Sequence, residues 1–139
     1  MRRLLITGGA GFIGSNFIRH ILAKYRDYRI VNLDKLTYCG NLDNLKDVAG
    51  DKNYKFVKGD IADADLVNRL VKGCDIILNF AAETHVDRSI KDPASFVRTN
   101  VFGTHTLLEA AKRFGAKLVV QISTDEVYGS VSEGAFKED

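Results

Sequence analysis

The chain reads as an α/β fold with a doubly wound parallel sheet and helices on both faces. Three observations predict it. Short apolar runs of strand length alternate with longer stretches of helical periodicity. The short runs are nearly continuous in apolar character, as strands covered on both faces are. A glycine cluster stands between the first short run and the first periodic stretch.

Taken in order, Leu4-Leu5-Ile6 is a buried strand. Ile13, Phe17, Ile18, Ile21 and Leu22 recur at helical spacing and predict a helix. Strands follow at 29–33 and 54–57. Asp63 is a helix cap, and Leu66, Val67, Leu70 and Val71 are the apolar face behind it. A fourth strand is expected at 75–79. Asp92-Pro93 is a helix start, with the carboxylate as cap and proline in the first turn. Val97, Val101, Thr104, Leu108 and Ala111 form the expected buried stripe of that helix. Gly115 ends it, and 117–122 is a fifth strand. Right-handed crossovers then place helices on both faces of one parallel sheet.

The chain has 139 residues, 45% of them hydrophobic, enough for one domain and too few for two. Twenty Lys and Arg face eighteen Asp and Glu, with no basic block. Nothing here points to nucleic acid or a membrane surface. The longest apolar runs are too short to span a bilayer. No signal peptide is expected ahead of the first strand. Cys39 and Cys74 make neither a disulfide framework nor a zinc site, and no metal site is expected. Their usage suits a cytoplasmic chain.

The glycine cluster is Thr7-Gly8-Gly9-Ala10-Gly11-Phe12-Ile13-Gly14. Gly9, Gly11 and Gly14 match G-x-G-x-x-G, and Gly8, Gly11 and Gly14 match the wider G-x-x-G-x-x-G. Such a loop lets a pyrophosphate approach the backbone, and the helix N-terminus adds free N–H groups and positive dipole. Asp34 follows Gly14 by twenty residues, at the end of the second strand. A carboxylate there accepts from the hydroxyls of an adenosine ribose and repels a 2′-phosphate, which favours NAD over NADP. Lys35, next to it, pulls the other way. The reading is therefore an NAD-binding domain of the Rossmann type over residues 1–139.

Asp60 and Ile61 follow the third strand and could meet an adenine's amine and face, or merely turn the chain. Phe80, Ala81 and Ala82 end the fourth strand. The alanines either keep the ligand edge of the sheet open or pack a helix. After the fifth strand comes Ser123-Thr124-Asp125-Glu126-Val127-Tyr128-Gly129. Adjacent carboxylates in a partly closed site separate their pKa values into an acid and a base, whereas a solvated loop would leave them equivalent.

Four segments together resemble the dTDP-glucose 4,6-dehydratases, a branch of the extended short-chain dehydrogenases. They are the glycine loop through Asn16, Asp34-Lys35-Leu36-Thr37-Tyr38, Ala81-Ala82-Glu83-Thr84-His85-Val86-Asp87-Arg88-Ser89, and the segment from Ser123 to Gly129. The Thr-Asp-Glu triplet is the discriminating part, since sugar 4-epimerases and GDP-mannose dehydratases carry other residues there. The resemblance implies NAD-mediated oxidation at sugar C4, loss of water across C5–C6, and hydride return to C6. It implies that Glu126 is the base at C5, Asp125 the acid for the C6 hydroxyl, and Thr124 a hydrogen-bond donor to the C4 oxygen. It places Gly8, Gly11, Phe12, Ile13, Gly14, Asp34, Lys35, Leu36, Thr37, Asp60, Ile61, Phe80, Ala81, Ala82, Glu83 and Thr99 around the cofactor. Thr84 would contact nicotinamide ribose or sugar, and His85, Asp87 and Arg88 would shape the loop.

The alternatives are a UDP-sugar 4-epimerase, a UDP-glucose dehydratase, or a non-catalytic NAD-binding module. The family's catalytic Tyr-x-x-x-Lys pair is expected to be absent, because Ser132 stands four residues after Tyr128. The chain is then expected to be an N-terminal piece, lacking the usual C-terminal substrate domain and inactive alone. Dimerisation is expected through the helix at 92–113, or else association with a complementary C-terminal half.

Overall fold

The computed structural model describes residues 1–138, and at Asp125 the backbone alone. Its strands are β1 (Arg2–Thr7), β2 (Tyr28–Asp34), β3 (Tyr54–Lys58), β4 (Ile76–Asn79) and β5 (Leu118–Gln121). All pair in parallel, in the order β3-β2-β1-β4-β5. The chain walks outward from β1 to β3, then crosses back to β4. The crevice between β1 and β4 is therefore the switch point at which such sheets hold ligands. The expected fold class is the observed one.

Alternate side chains of each strand point to opposite faces. Leu4 and Ile6 join Ile30 and Leu78 against Ile18, Ile21 and Leu22 of α1 (Phe12–Lys24). Leu5, Leu33 and Ile77 face the other way, onto Val67 and Val71 of α2 (Ala64–Val71) and Leu107, Ala110 and Ala111 of α5 (Thr104–Phe114). Ile13, expected on the buried face of α1, is exposed. It lies in the first turn, beyond the edge of the sheet, while Gly14 and Ser15 are buried instead.

The caps behave as their chemistry dictates. Asp63 accepts from the Leu66 N–H at 3.0 Å, and Asp92 from the Ser95 N–H at 3.3 Å. Gly115 closes α5 with φ 71°, a left-handed value suited to glycine. Short helices absent from the expectation are α3 (Val86–Lys91) and two 3₁₀ turns, Leu42–Leu45 and Asp125–Tyr128.

The expected stripe on the long helix is largely wrong. Helix α4 (Pro93–Phe96) runs into a wide π-turn, Val97–Gly103, and then into α5. A π-turn adds a residue to the repeat, so the faces before and after it fall out of register. The buried residues are Gly103, Leu107, Ala110 and Ala111, whereas Val97, Val101, Phe102 and Leu108 are exposed. Gly103 is needed where it stands, since a Cβ there would lie 2.5 Å from the Ile61 side chain.

Buried polar groups tie the strand ends together. Thr7 Oγ1 bonds Asn79 Oδ1, and Asn79 Nδ2 donates to Gln121 Oε1 at 2.7 Å. Three neighbouring strands are thus cross-linked at the edge where the ligand crevice opens. At the opposite edge, Asp75 accepts from the Arg3 N–H at 2.9 Å and pairs with Lys117 at 2.8 Å.

The turn after β1 depends on Gly8. Its N–H donates to Leu33 O at 3.0 Å, its φ is +68°, and a Cβ there would lie 2.6 Å from Ala81 N. Neither the backbone angle nor the gap to β4 tolerates a side chain. Gly8→Ala should therefore destabilise the fold by about 2 kcal/mol or more in urea unfolding. A wild-type midpoint would contradict this packing.

Candidate functional site

The site begins where the glycine loop meets α1. Gly11 is the helix N-cap and offers no side chain to the first-turn N–H groups. The Gly11 N–H donates to Gly8 O at 3.2 Å, curling the loop into a concave backbone. Gly14 belongs to that curl, since a Cβ would sit 2.5 Å from Gly8 O. Gly9 faces Asn32 closely, which makes it a packing glycine of the loop. Phe12 and Ile13 stand exposed at the helix start. Free N–H groups at a helix N-terminus, beside a surface that admits no Cβ, are what an anionic diphosphate requires.

Asp34 holds this loop in place. Its Oδ2 accepts from the Ala10 N–H at 2.9 Å, and its Oδ1 from the Leu36 N–H at 2.8 Å. Leu36 is held at φ 58°, the only left-handed non-glycine among the described residues. The Asp34 carboxylate retains lone pairs for further donors, since an ionised carboxylate has about four acceptor positions. Asp34, Lys35, Thr37, Asp60 and Ile61 line one cleft with Gly8 and Gly11. Thr99, on the π-turn, closes the same cleft from the far side.

Asp60 is the charged hub of that cleft. Its Oδ1 accepts from the Ala62 N–H at 2.9 Å, while its Oδ2 meets Lys35 Nζ at 3.0 Å and Arg98 Nε at 3.4 Å. Desolvation raises its carboxyl, but the Ala62 N–H and the two cations outweigh burial and hold it below the ordinary carboxylate value. Ile61 is buried beneath it, against Gly103.

Phe80, Ala81, Ala82 and Glu83 form the cleft's β4 wall. Asn100 grips this segment, accepting from the Glu83 N–H at 2.9 Å and donating to Glu83 O at 2.8 Å. Glu83 is buried, and its Oε2 has no hydrogen-bond partner among the described residues. Across the mouth, Arg88 lies over the Tyr38 ring at 4.1 Å. Partial burial raises the Tyr38 phenol; a hydrogen bond with Cys39 adds to the rise and one with Thr84 opposes it.

A second cleft adjoins the first and shares Ala81, Ala82 and Glu83 with it. Thr84, Thr104, Gln121, Ser123, Thr124 and Glu126 complete it. The structure thus brings Thr84, Thr124 and Glu126 together around one space. The side chain of Asp125 lies outside the described residues. Asn100 and Gln121 were not among the expected site residues. A buried amide at a strand end is the signal that marks Gln121's partner, Asn79, but nothing local marks Asn100.

The bare spacing Tyr-x-x-x-Lys occurs once, at Tyr54 and Lys58, which is distinct from the catalytic pair expected to be absent. Both residues lie on β3, where four residues span about 13 Å rather than one helical turn. Tyr54 there bonds Asn32 Nδ2 at 2.9 Å, inside the fold. Its phenol is raised, chiefly by burial. Tyr54 is thus engaged within the fold, and Lys58 is exposed.

Among the described residues no three His, Cys, Asp or Glu side chains are grouped to hold a metal ion, and no helix is long and apolar enough to cross a membrane.

Comparison with known proteins bears on the family and the fold. A dTDP-glucose 4,6-dehydratase of Streptomyces niveus is 57% identical over 141 residues, covering 99% of this chain and 42% of the relative. A trifunctional UDP-glucose 4,6-dehydratase/epimerase/reductase of Arabidopsis thaliana is 51% identical, covering 96% of this chain and 20% of the relative. The crystal structure of the dTDP-glucose 4,6-dehydratase DesIV from Streptomyces venezuelae, with NAD and TYD bound, superposes with a TM-score of 0.91. It is 51% identical, over 96% of this chain and 43% of that one. The chain therefore spans less than half the length of these relatives. The model of the GDP-mannose 4,6 dehydratase family matches residues 5–139, and the chain belongs to that family.

Proposed function

We propose that this chain is the NAD-binding part of a nucleotide-sugar 4,6-dehydratase acting on dTDP-glucose. The observation that carries the reading is the adjacency of two clefts. One is a diphosphate cradle with a ribose carboxylate, and the other holds Thr124 and Glu126; Glu83 stands between them. The cradle fits the cofactor on its own evidence, because Gly8 and Gly14 leave no room for a Cβ and α1 presents an uncapped N-terminus.

Bound NAD would supply the reversible hydride exchange that oxidation at C4 and reduction at C6 require. Phe12, Ile13 and Gly14 would hold the diphosphate through the free N–H groups of the first helical turn, while Gly8 and Gly11, whose N–H groups are already bonded within the fold, would shape the loop that lets it approach. Asp34 accepts from the adenosine ribose, with Lys35, Leu36 and Thr37 beside it. Asp60 and Ile61 flank the base, and Phe80, Ala81, Ala82, Glu83, Thr84 and Thr99 line the route toward the second cleft.

In that cleft Thr124 donates to the C4 oxygen of the sugar. Once C4 is a ketone, the C5 proton becomes acidic and passes to Glu126. The C6–O bond then breaks, and Asp125 protonates the departing oxygen, so that one water leaves. Elimination needs this acid and base beside the sugar, whereas epimerisation at C4 does not, which favours the dehydratase reading. The identity with the Arabidopsis enzyme supports UDP-glucose as the second candidate substrate. We further propose that the chain pairs through the exposed apolar residues Val97, Val101, Phe102 and Leu108 of the long helix. The partner is a second copy or a segment carrying the helical Tyr-x-x-x-Lys pair, without which turnover is negligible.

Glu126→Gln tests the chemistry in an enzyme that joins this chain to such a segment. Reduced cofactor should accumulate from dTDP-glucose while 4-keto-6-deoxy product falls about 10²- to 10⁴-fold. Undiminished product would remove Glu126 as the base. Light scattering of the 139-residue chain tests the pairing. Self-association is expected, and a strict monomer at working concentration would contradict pairing with a second copy.

A further inference from the structure

We infer that Asp60 sets the choice between NAD and NADP by holding Lys35 and Arg98 away from the place a 2′-phosphate would occupy. The inference rests on the dinucleotide reading above and names a determinant within that site.

A dinucleotide site recognises the 2′-phosphate with a cation beside the ribose and rejects it with a carboxylate there. This cleft contains both. Asp34 stands at the end of β2, and Lys35, the next residue, lines the same cleft. By sequence, Lys35 is a candidate phosphate ligand. In the structure its ammonium is drawn instead to Asp60 Oδ2, at 3.0 Å, and Arg98 reaches the same oxygen from the π-turn, at 3.4 Å.

The direction of control follows from burial. The Asp60 side chain is only 17% exposed and is fixed by its bond to the Ala62 N–H. The cations are the solvent-exposed partners, with side chains 52% and 60% exposed. Each contact by itself is a weak, solvent-screened ion pair. Their joint effect is on the charge of the cleft. Asp34 and Asp60 balance Lys35 and Arg98, so an incoming dianion finds no net positive field. Without the Asp60 charge, Lys35 lies free in the cleft and Arg98 is released from the cleft residue it now contacts, and arginine is suited to phosphate. Asp60 is thus a positioning residue for specificity, acting through the two cations.

Asp60→Asn keeps an Oδ1 to accept from Ala62 and so preserves the turn. Calorimetric titration of the 139-residue chain with NAD and with NADP should show the affinity ratio moving toward NADP by about tenfold or more. Adding Lys35→Met and Arg98→Met to Asp60→Asn should abolish that gain. A general weakening of the site would lower both affinities and leave the ratio alone. The Lys35→Met/Arg98→Met double variant, with Asp60 intact, touches no core residue and should shift the ratio further toward NAD. An unchanged ratio in Asp60→Asn that still binds NAD overturns the inference and leaves the cofactor reading standing. If Asp60→Asn does not fold, an unchanged ratio in the double variant overturns it equally. Binding of neither dinucleotide by the wild-type chain would overturn the cofactor reading and this inference with it.

Discussion

One carboxylate, that of Asp34, organises the ligand edge of this molecule. It receives the Ala10 N–H from the glycine loop and the Leu36 N–H from the segment after β2. Its own backbone oxygen accepts from the Gly59 N–H at 3.0 Å, after β3. Three strand ends are thus referred to a single residue. Ala10 in turn offers its carbonyl to the Asn41 N–H and to Asn44 Nδ2, both at 3.0 Å, which seats the following loop on the glycine turn. Because a buried carboxylate must be hydrogen-bonded, the loops are ordered by the same group that would receive the ribose. On the proposed reading, cofactor recognition and loop architecture share one side chain.

The second half of the edge is built differently. Beyond β4 the backbone is gripped by amides rather than by a carboxylate. Asn79 links β1 to β5 through Thr7 and Gln121, and Asn100 holds Glu83 from the π-turn. The π-turn therefore has a consequence for the site. It lines the cleft with Thr99, brings Arg98 to Asp60 and Asn100 to Glu83, and leaves Val97, Val101 and Phe102 outward. Wide turns inside helices are often found at functional sites for this reason.

Much of this was legible in the sequence because it rests on local chemistry. The strands, the Asp63 and Asp92 caps and the Gly115 stop are each set by a few neighbouring residues. Gly8, Gly11, Gly14 and Asp34 were legible through spacing, since a short turn between a strand and a helix leaves few geometries. What was not legible depends on residues far apart in the chain. The π-turn shifted the stripe of the long helix, and no motif announces such a turn. The meaning of Lys35 turned on Asp60 and Arg98, which lie 25 and 63 positions onward. Tyr54 and Lys58 show the converse, a catalytic spacing emptied of its meaning by lying on a strand.

The central claim is that these residues form a self-sufficient NAD site. Calorimetric titration of the 139-residue chain with NAD alone tests it most directly. The account predicts saturable binding with one NAD per chain. The absence of saturable heat, from a chain shown to be folded by its circular dichroism, would contradict it.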